Sequence, residues 1–387
     1  MKYVRTHETR DKFLADKDST SRGFRLAPTL YKYSDESEDE DNRDHIYLEL
    51  DDPRKHEGST YMEIALNSDV EFSFYIGNKS GDKQTTMTCT IDWGDDTIET
   101  KTITKDTYGF KLAHNYTAGS YKIELYDVER DYSVVGDVAN TRSLISPRES
   151  VKRIVLGERV VSIGDWTFYL CTSLTSIFIP EGITYIGSRT LAICRSLTSI
   201  YIPESVTSIE GWSLSGGIFV SVYIPESVTY IGGGAFYLCP SLTSINIPES
   251  VTSIRENTFH NCYSLTSINI PESVTSIREN TFYNCYSLTS VYIPEGVTSI
   301  GLNAFAYCTS LKSIDISEKV TSIGDGAFYG CSSLTSISSF NPTTPTLGGN
   351  IFIDLPTNGT LHIKPGATGY DAWLSKLPEG WRIAEDL

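Results

Sequence analysis

The sequence predicts a mainly β chain whose larger part is a repeat solenoid of eight stacked turns. Three observations predict it. A 23-residue pattern, L-T-S-I-x-I-P-E-S-V-T-S-I-G-x-x-A-F-x-x-C-x-S, recurs from Val151 to about residue 340. Its apolar positions form columns, one of them Ile163, Ile186, Ile209, Ile231, Ile254, Ile277, Ile300 and Ile323. Seven of the eight cysteines keep the same period. A single turn of this length cannot bury its own apolar residues. Stacked turns bury them in one continuous core.

Residues 1–45 read as an extended N-terminal arm. The first 33 residues are mildly basic and carry little core material, and residues 34–44, SDESEDEDNRD, are an acidic run. Such a block is a solvated linker, or part of an arm that orders against a partner. The first 30 residues lack an apolar stretch of signal-peptide type. Export therefore follows another route, or the signal has been removed.

Residues 46–132 read as all-β. Ile46–Leu50, Tyr61–Leu66, Val70–Ile76, Thr86–Trp93, Ile98–Ile103 and Tyr121–Tyr126 are rich in β-branched and aromatic residues, with Gly, Asn and Asp between them. Trp93 and Tyr121 supply large apolar bodies for a sandwich core. Residues 133–150 carry little pattern and form a connector.

Repeat units start at Val151, Leu174, Leu197, Phe219, Leu242, Leu265, Leu288 and Leu311. In each, the alternating S-I-x-I stretch is a short strand that Pro ends. A-F-x-x-C suits one helical turn. The third unit is one residue short and loses its cysteine within Ser215-Gly216-Gly217, so an irregularity is expected there. The cysteine ladder, Cys171, Cys194, Cys239, Cys262, Cys285, Cys308 and Cys331, is core filler. Parallel side chains in a ladder aim poorly for the disulfide torsion, so free thiols are expected. Residues 341–387 hold a strand at Thr360–Ile363 and a short helix near Tyr370–Ser375, and close the open end as a cap.

The L-T-S-I-x-I-P-E-S-V-T-S-I and A-F-x-x-C elements, clearest in 219–241 and 288–310, resemble the BspA-like leucine-rich-repeat family of bacterial surface proteins. TLHIKPGATGYDAW followed by GWRI resembles that family's terminal cap. IDWGDDT at Ile91–Thr97 and HNYTAGSYKIEL at His114–Leu125 resemble a PKD-like immunoglobulin-type sandwich, with Asp96 where Gly is usual. The resemblance implies a non-enzymatic adhesin that binds host or microbial proteins and sometimes polysaccharide, displayed on the cell surface.

Charge and motifs agree with a binding protein. A net charge of −17 argues against nucleic acid. No apolar run is long enough for a transmembrane helix. The six histidines are scattered, and no metal or phosphate-binding motif occurs, so neither a cofactor nor a metal is expected. His260 stands where the next unit has Tyr283, and His114 reads as a structural residue. Asp92, Asp95 and Asp96 form a turn or, less simply, a cation site. Units 242–264 and 265–287 differ only at His260 against Tyr283. Catalysis needs unlike residues converging on one point, and near-identical turns supply periodic surface instead.

Two columns are candidates for recognition. A glutamate recurs in all eight turns, from Glu158 to Glu318. These carboxylates are solvated or cap backbone amides, or they form a stripe for cations or a basic partner. The outward strand position reads Val155, Phe178, Tyr201, Tyr223, Asn246, Asn269, Tyr292 and Asp315. Phe178, Tyr201 and Tyr223, with Tyr185 and Tyr230 at the nearby edge, form the candidate partner-binding strip for a protein or glycan. Ordinary cross-strand stacking is the alternative. A second context is a phage virion, in which residues 1–45 anchor to a particle or capsid partner and the repeats project outward as a decoration or fibre.

Overall fold

The computed structural model describes residues 59–78, 85–105, 109–126, 128, 132–134 and 145–387. The arm at 1–45, the strand expected at Ile46–Leu50 and residues 135–144 of the connector lie outside them.

The N-terminal part is a pair of antiparallel layers. Its strands are β1 (Thr60–Leu66), β2 (Val70–Asn78), β3 (Thr86–Asp92), β4 (Ile98–Thr104), β5 (Phe110–Tyr116), β6 (Gly119–Tyr126) and β7 (Tyr132–Val134). Alternate residues point inward, as the pleat requires. On β3, Met87, Cys89 and Ile91 are buried between exposed or half-exposed threonines and Asp92. β5 and β7 go beyond the strands expected from sequence. Phe110, Leu112 and Tyr116 alternate inward on β5, and β7 is only three residues long.

The solenoid begins with β8 (Val151–Val155), β9 (Val160–Ile163), β10 (Ser176–Phe178) and β11 (Tyr185–Ile186). Both layers of the N-terminal part run straight into it. One sheet has the order β10-β8-β1-β6-β3-β4, in which β1 pairs antiparallel with both β6 and β8. In the other, β5-β2-β7 leads to β9 and β11, with β7 parallel to β9. The buried residues of both parts form a single cluster. A bare first turn would present two open strand edges and an uncovered apolar end. β1 and β7 cover these edges, so the N-terminal layers cap the solenoid.

Each turn adds one row to two parallel sheets. In the first, Ile177 pairs with Ile154, and in the second, Ile186 pairs with Ile163 and Ile209. The third side is the A-F-x-x-C corner. There Asn257, Phe259 and Asn261 donate backbone N–H bonds to Glu279, Thr281 and Tyr283 of the next turn. His260 N–H bonds back to Asn257, Cys262 to Phe259 and Leu265 to Cys262, giving tight i→i−3 turns. Positive φ at Asn257 (59°) and Asn261 (62°) accompanies these alternating bond directions.

Phenylalanine rings stack up the middle of the core. Phe236, Phe259, Phe282, Phe305 and Phe328 follow one another at 5.2–5.8 Å with nearly parallel planes. The cysteines stand beside them, reduced and buried. From Cys262 to Cys331 each thiol donates to the carbonyl of the ring residue one turn before, at 3.1–3.3 Å.

The eight-turn count falls short. Stacking continues through Leu347, which pairs with Ile323, and through Phe352, whose ring stacks on Phe328 at 6.4 Å. Thr360–Ile363 and Arg382–Glu385 add two further parallel strands to the first sheet. The ninth turn keeps L-T-S-I at Leu334–Ile337 but lacks the I-P-E-S-V-T-S-I wording that should follow, which hides it, although Gly348–Phe352 repeats the Gly301–Phe305 corner. The helix α1 (Asp371–Leu374) then places Trp373 against Phe352 and closes the end of the core.

The irregular third turn is also visible. No strand forms at Ser199–Tyr201, and the first-sheet ladder resumes at Ser221. The space of the missing cysteine is taken by the ring of Phe219, which lies over Gly217.

Candidate functional site

The outward row of the first sheet carries Phe178, Tyr201 and Tyr223 on three consecutive turns. Inward neighbours Ile177, Ile179, Ile200, Ile202, Val222 and Ile224 are buried and fix the backbone beneath. The tyrosines are held at their tips as well. Tyr201 Oη donates to Glu181 Oε1 at 3.3 Å, and Tyr223 Oη donates to Glu204 Oε1 at 3.3 Å. Each ring is thus tied to the glutamate of the turn before it. Burial first, and the neighbouring carboxylates second, push both phenols up to about 12. Tyr201 remains 37% exposed. The Glu column and the aromatic row are therefore one construction along these turns. Further on, Glu318 pairs instead with Lys364 at 3.0 Å.

Tyr185 and Tyr230 stand on the second sheet. Tyr185 pairs with Ser208, and Ser208 with Tyr230, so a serine separates the two rings. The five candidate residues are thus divided between two sheets.

The corner of the solenoid holds a second aromatic run, beyond the residues expected from sequence. Two positions per turn have positive φ. The first runs Trp166, Arg189, Trp212, Gly234, Asn257, Asn280, Asn303, Gly326, and the second runs Leu170, Ile193, Gly216, Leu238, Asn261, Asn284, Tyr307, Gly330. Asn and Gly hold this conformation cheaply, whereas bulky residues lose roughly 1–2 kcal/mol each. Turns one to three nevertheless carry Trp166, Arg189 and Trp212. The Arg189 guanidinium lies over Trp166 at 4.8 Å and over Trp212 at 4.9 Å. The run continues as Trp212–Tyr237, Tyr237–His260 and His260–Tyr283 at 4.6–4.9 Å. His260 is thus a member of an aromatic column, and burial holds its imidazole below the ordinary range. The signal in the sequence is the corner column Tyr237, His260, Tyr283, which keeps the repeat spacing.

In the N-terminal layers, His114 Nε2 meets Asp95 Oδ2 at 2.7 Å and its ring stacks on Trp93 at 5.0 Å. Asp92 accepts from Gly94 N and Asp95 from Thr97 N. Asp96 takes the left-handed φ of 68° that the turn requires. These groups satisfy one another and build the turn. Among the described residues no cluster of His, Cys, Asp or Glu could hold a metal ion, and no helix is long and apolar enough to cross a membrane.

The arrangement offers rigid, periodic aromatic and carboxylate surface. A family model described as a BspA-type leucine-rich-repeat region, in six copies, matches residues 146–241 and 229–357. No curated protein matches the chain. Among solved structures, the chain is similar to a leucine-rich repeat protein from Bacteroides ovatus, with 21% identity over 79% of this chain and 99% of that one, at a TM-score of 0.33. A leucine-rich cell surface protein from Faecalibacterium prausnitzii matches at 24% identity over 59% and 82%, at a TM-score of 0.36. A leucine-rich repeat protein of T. pallidum matches at 23% over 66% and 92%, at a TM-score of 0.37. Since the family model spans more than half of its length, the chain belongs to the BspA-type leucine-rich-repeat family.

Proposed function

We propose that the chain is a non-enzymatic recognition protein, displayed on the outside of a cell, whose solenoid binds a protein or glycan partner through Phe178, Tyr201 and Tyr223. The observation that carries this is the pair of Tyr–Glu bonds, Tyr201 to Glu181 and Tyr223 to Glu204. Rings fixed before contact lose little freedom on binding, which is what hot-spot residues need. Tyr185 and Tyr230 extend the surface onto the second sheet.

The N-terminal layers are a PKD-like module in this reading. The packing of Trp93, His114 and Tyr116 behind the Asp92–Thr97 turn supports it. Its role is to cap the solenoid and carry it away from the attachment point. Near-duplicate turns support a binding surface over a catalytic one. The virion alternative depends on residues 1–45, outside those described.

Arrays of extracellular-matrix and microbial surface proteins and of glycans test the proposal. The full chain binds a member, and Tyr201→Ser/Tyr223→Ser loses at least about tenfold in affinity with nearly unchanged melting. Undiminished binding by the folded double variant rejects the strip as the binding surface.

A further inference from the structure

The corner ring column has a gap in the seventh turn. It runs Tyr237, His260, Tyr283, then Ala306, then Tyr329. Tyr307 enters from the adjacent position instead, at a φ of 60° where Asn261 and Asn284 stand in the turns before. Its ring meets Tyr283 edge-on at 5.4 Å and 73°, and Tyr329 at 5.2 Å and 68°. Tyr283 and Tyr329 are two turns apart, which is about 10 Å at the ordinary spacing of parallel strands. The face-to-face stacking of His260 on Tyr283, at 25°, therefore ends here, and an open cleft of about 320 Å³ takes its place.

Two glycines make room for side chains of the cleft. A Cβ at Gly330 would lie 2.8 Å from Tyr307 Cδ1, and one at Gly326 would lie 2.4 Å from Asn303 Oδ1. The tyrosine ring and the amide oxygen lean into the room these residues leave. Asn350 and Asp325 stand exposed on the rim. Asp325 spends Oδ1 on the Gly349 N–H at 2.8 Å and keeps Oδ2 as an acceptor. Asn303 donates from Nδ2 to Asn280. The lining thus combines aromatic rings with amide donors and with amide and carboxylate acceptors, and it contains no Lys or Arg.

That chemistry selects its ligand. An anion would face Asp325, and Asp354 beside Tyr329, with no cation to neutralise them, and among the described residues no cluster of His, Cys, Asp or Glu could hold a metal ion. A purely apolar ligand would leave the rim amides and the carboxylate without partners. A neutral ring with hydroxyls around its edge and C–H groups on its faces satisfies both halves of the lining. We propose that this cleft is a binding site for a neutral pyranoside unit of a glycan, with Tyr283, Tyr307 and Tyr329 contacting the ring and Asn303, Asn350 and Asp325 taking its hydroxyls. The site is separate from the Phe178–Tyr223 strip and stands or falls independently of it.

Saturation-transfer NMR on the full chain tests this with methyl glucoside, galactoside, mannoside and N-acetylglucosaminide as probes, and methyl glucuronide as an acidic control. At least one neutral pyranoside receives saturation. Tyr307→Asn, which places at a left-handed position the residue that two other turns use there, weakens its binding roughly tenfold, and Tyr329→Ser does the same. The proposal is overturned if no neutral pyranoside binds, if the glucuronide binds best, or if both cleft variants fold and bind like the parent.

Discussion

Restoring the consensus cysteine in the third turn should damage the protein. Gly217 occupies the cysteine column, and Phe219 replaces the leucine that opens every later turn. Repeat logic alone would recommend Gly217→Cys as a stabilising change. The structure predicts the opposite. A Cβ at Gly217 would lie 2.0 Å from Phe219 Cε2, 2.6 Å from Cζ and 2.7 Å from Cδ2, and that ring is fully buried. The ring can give way only by displacing its core neighbours. Overpacking of this kind costs about 1–3 kcal/mol, or about 1–4 °C of melting temperature for a chain of this size. Phe219→Leu should cost a similar amount by opening a cavity. The pair Gly217→Cys/Phe219→Leu exchanges one filling of the space for the other, so its loss should be smaller than the sum by about 0.5–3 kcal/mol. Thermal and urea unfolding of the four proteins measures this. A stabilising Gly217→Cys, or strictly additive losses, would refute the account of how the short turn is packed.

Other expectations follow from the same packing. All eight thiols should resist a thiol reagent in the folded chain and all eight should react after denaturation, because each is buried and reduced. Tyr201 and Tyr223 should ionise near pH 12 in a spectrophotometric titration, and Glu181→Gln should bring Tyr201 down. Since the folded values are raised, the associated stability is complete below the ordinary phenol range near 10 and is lost as pH rises from there through about 12. His260 has a depressed folded value, so its contribution is present above the ordinary imidazole range and is lost as pH falls through that value. His260→Tyr, which copies Tyr283, should remove this acid sensitivity in a pH series of melting curves. A chain beginning at residue 145 should aggregate or melt well below the parent, because β1 and β7 no longer cover the first turn. Equal stability of the two would contradict the capping role of the N-terminal layers.

The solenoid is legible in the sequence because each column repeats one packing decision. Ile177 and Ile186 face inward for the same reason in every turn, so eight copies of one pattern reinforce each other. Legibility fails where the pattern is replaced by a compensation. The ninth turn keeps Leu334–Ile337 and its Gly–Asn–aromatic corner but loses the I-P-E-S-V-T-S-I stretch between them, so Leu347 and Phe352 look like cap residues. Phe219 reads as an ordinary leucine substitute, although its size is set by the gap at Gly217. The fusion of the two parts is equally hidden. β7 is three residues long, and only its partners β2 and β9 give it meaning. The aromatic row Phe178, Tyr201 and Tyr223 can be read from periodicity. Its coupling to Glu181 and Glu204 requires knowing that the tyrosine of one turn reaches the glutamate of the turn before. The corner run was hidden because Trp166, Arg189 and Trp212 share a backbone conformation and not a residue type.

The most direct test of the recognition surface is hydrogen exchange with side-chain footprinting on the full chain bound to whichever array member it captures. The account predicts protection centred on residues 176–223, with Tyr201 and Tyr223 shielded from modification and the strands β3 and β4 unchanged. Protection confined to β3 and β4, with Tyr201 and Tyr223 as reactive as in the free chain, would contradict it.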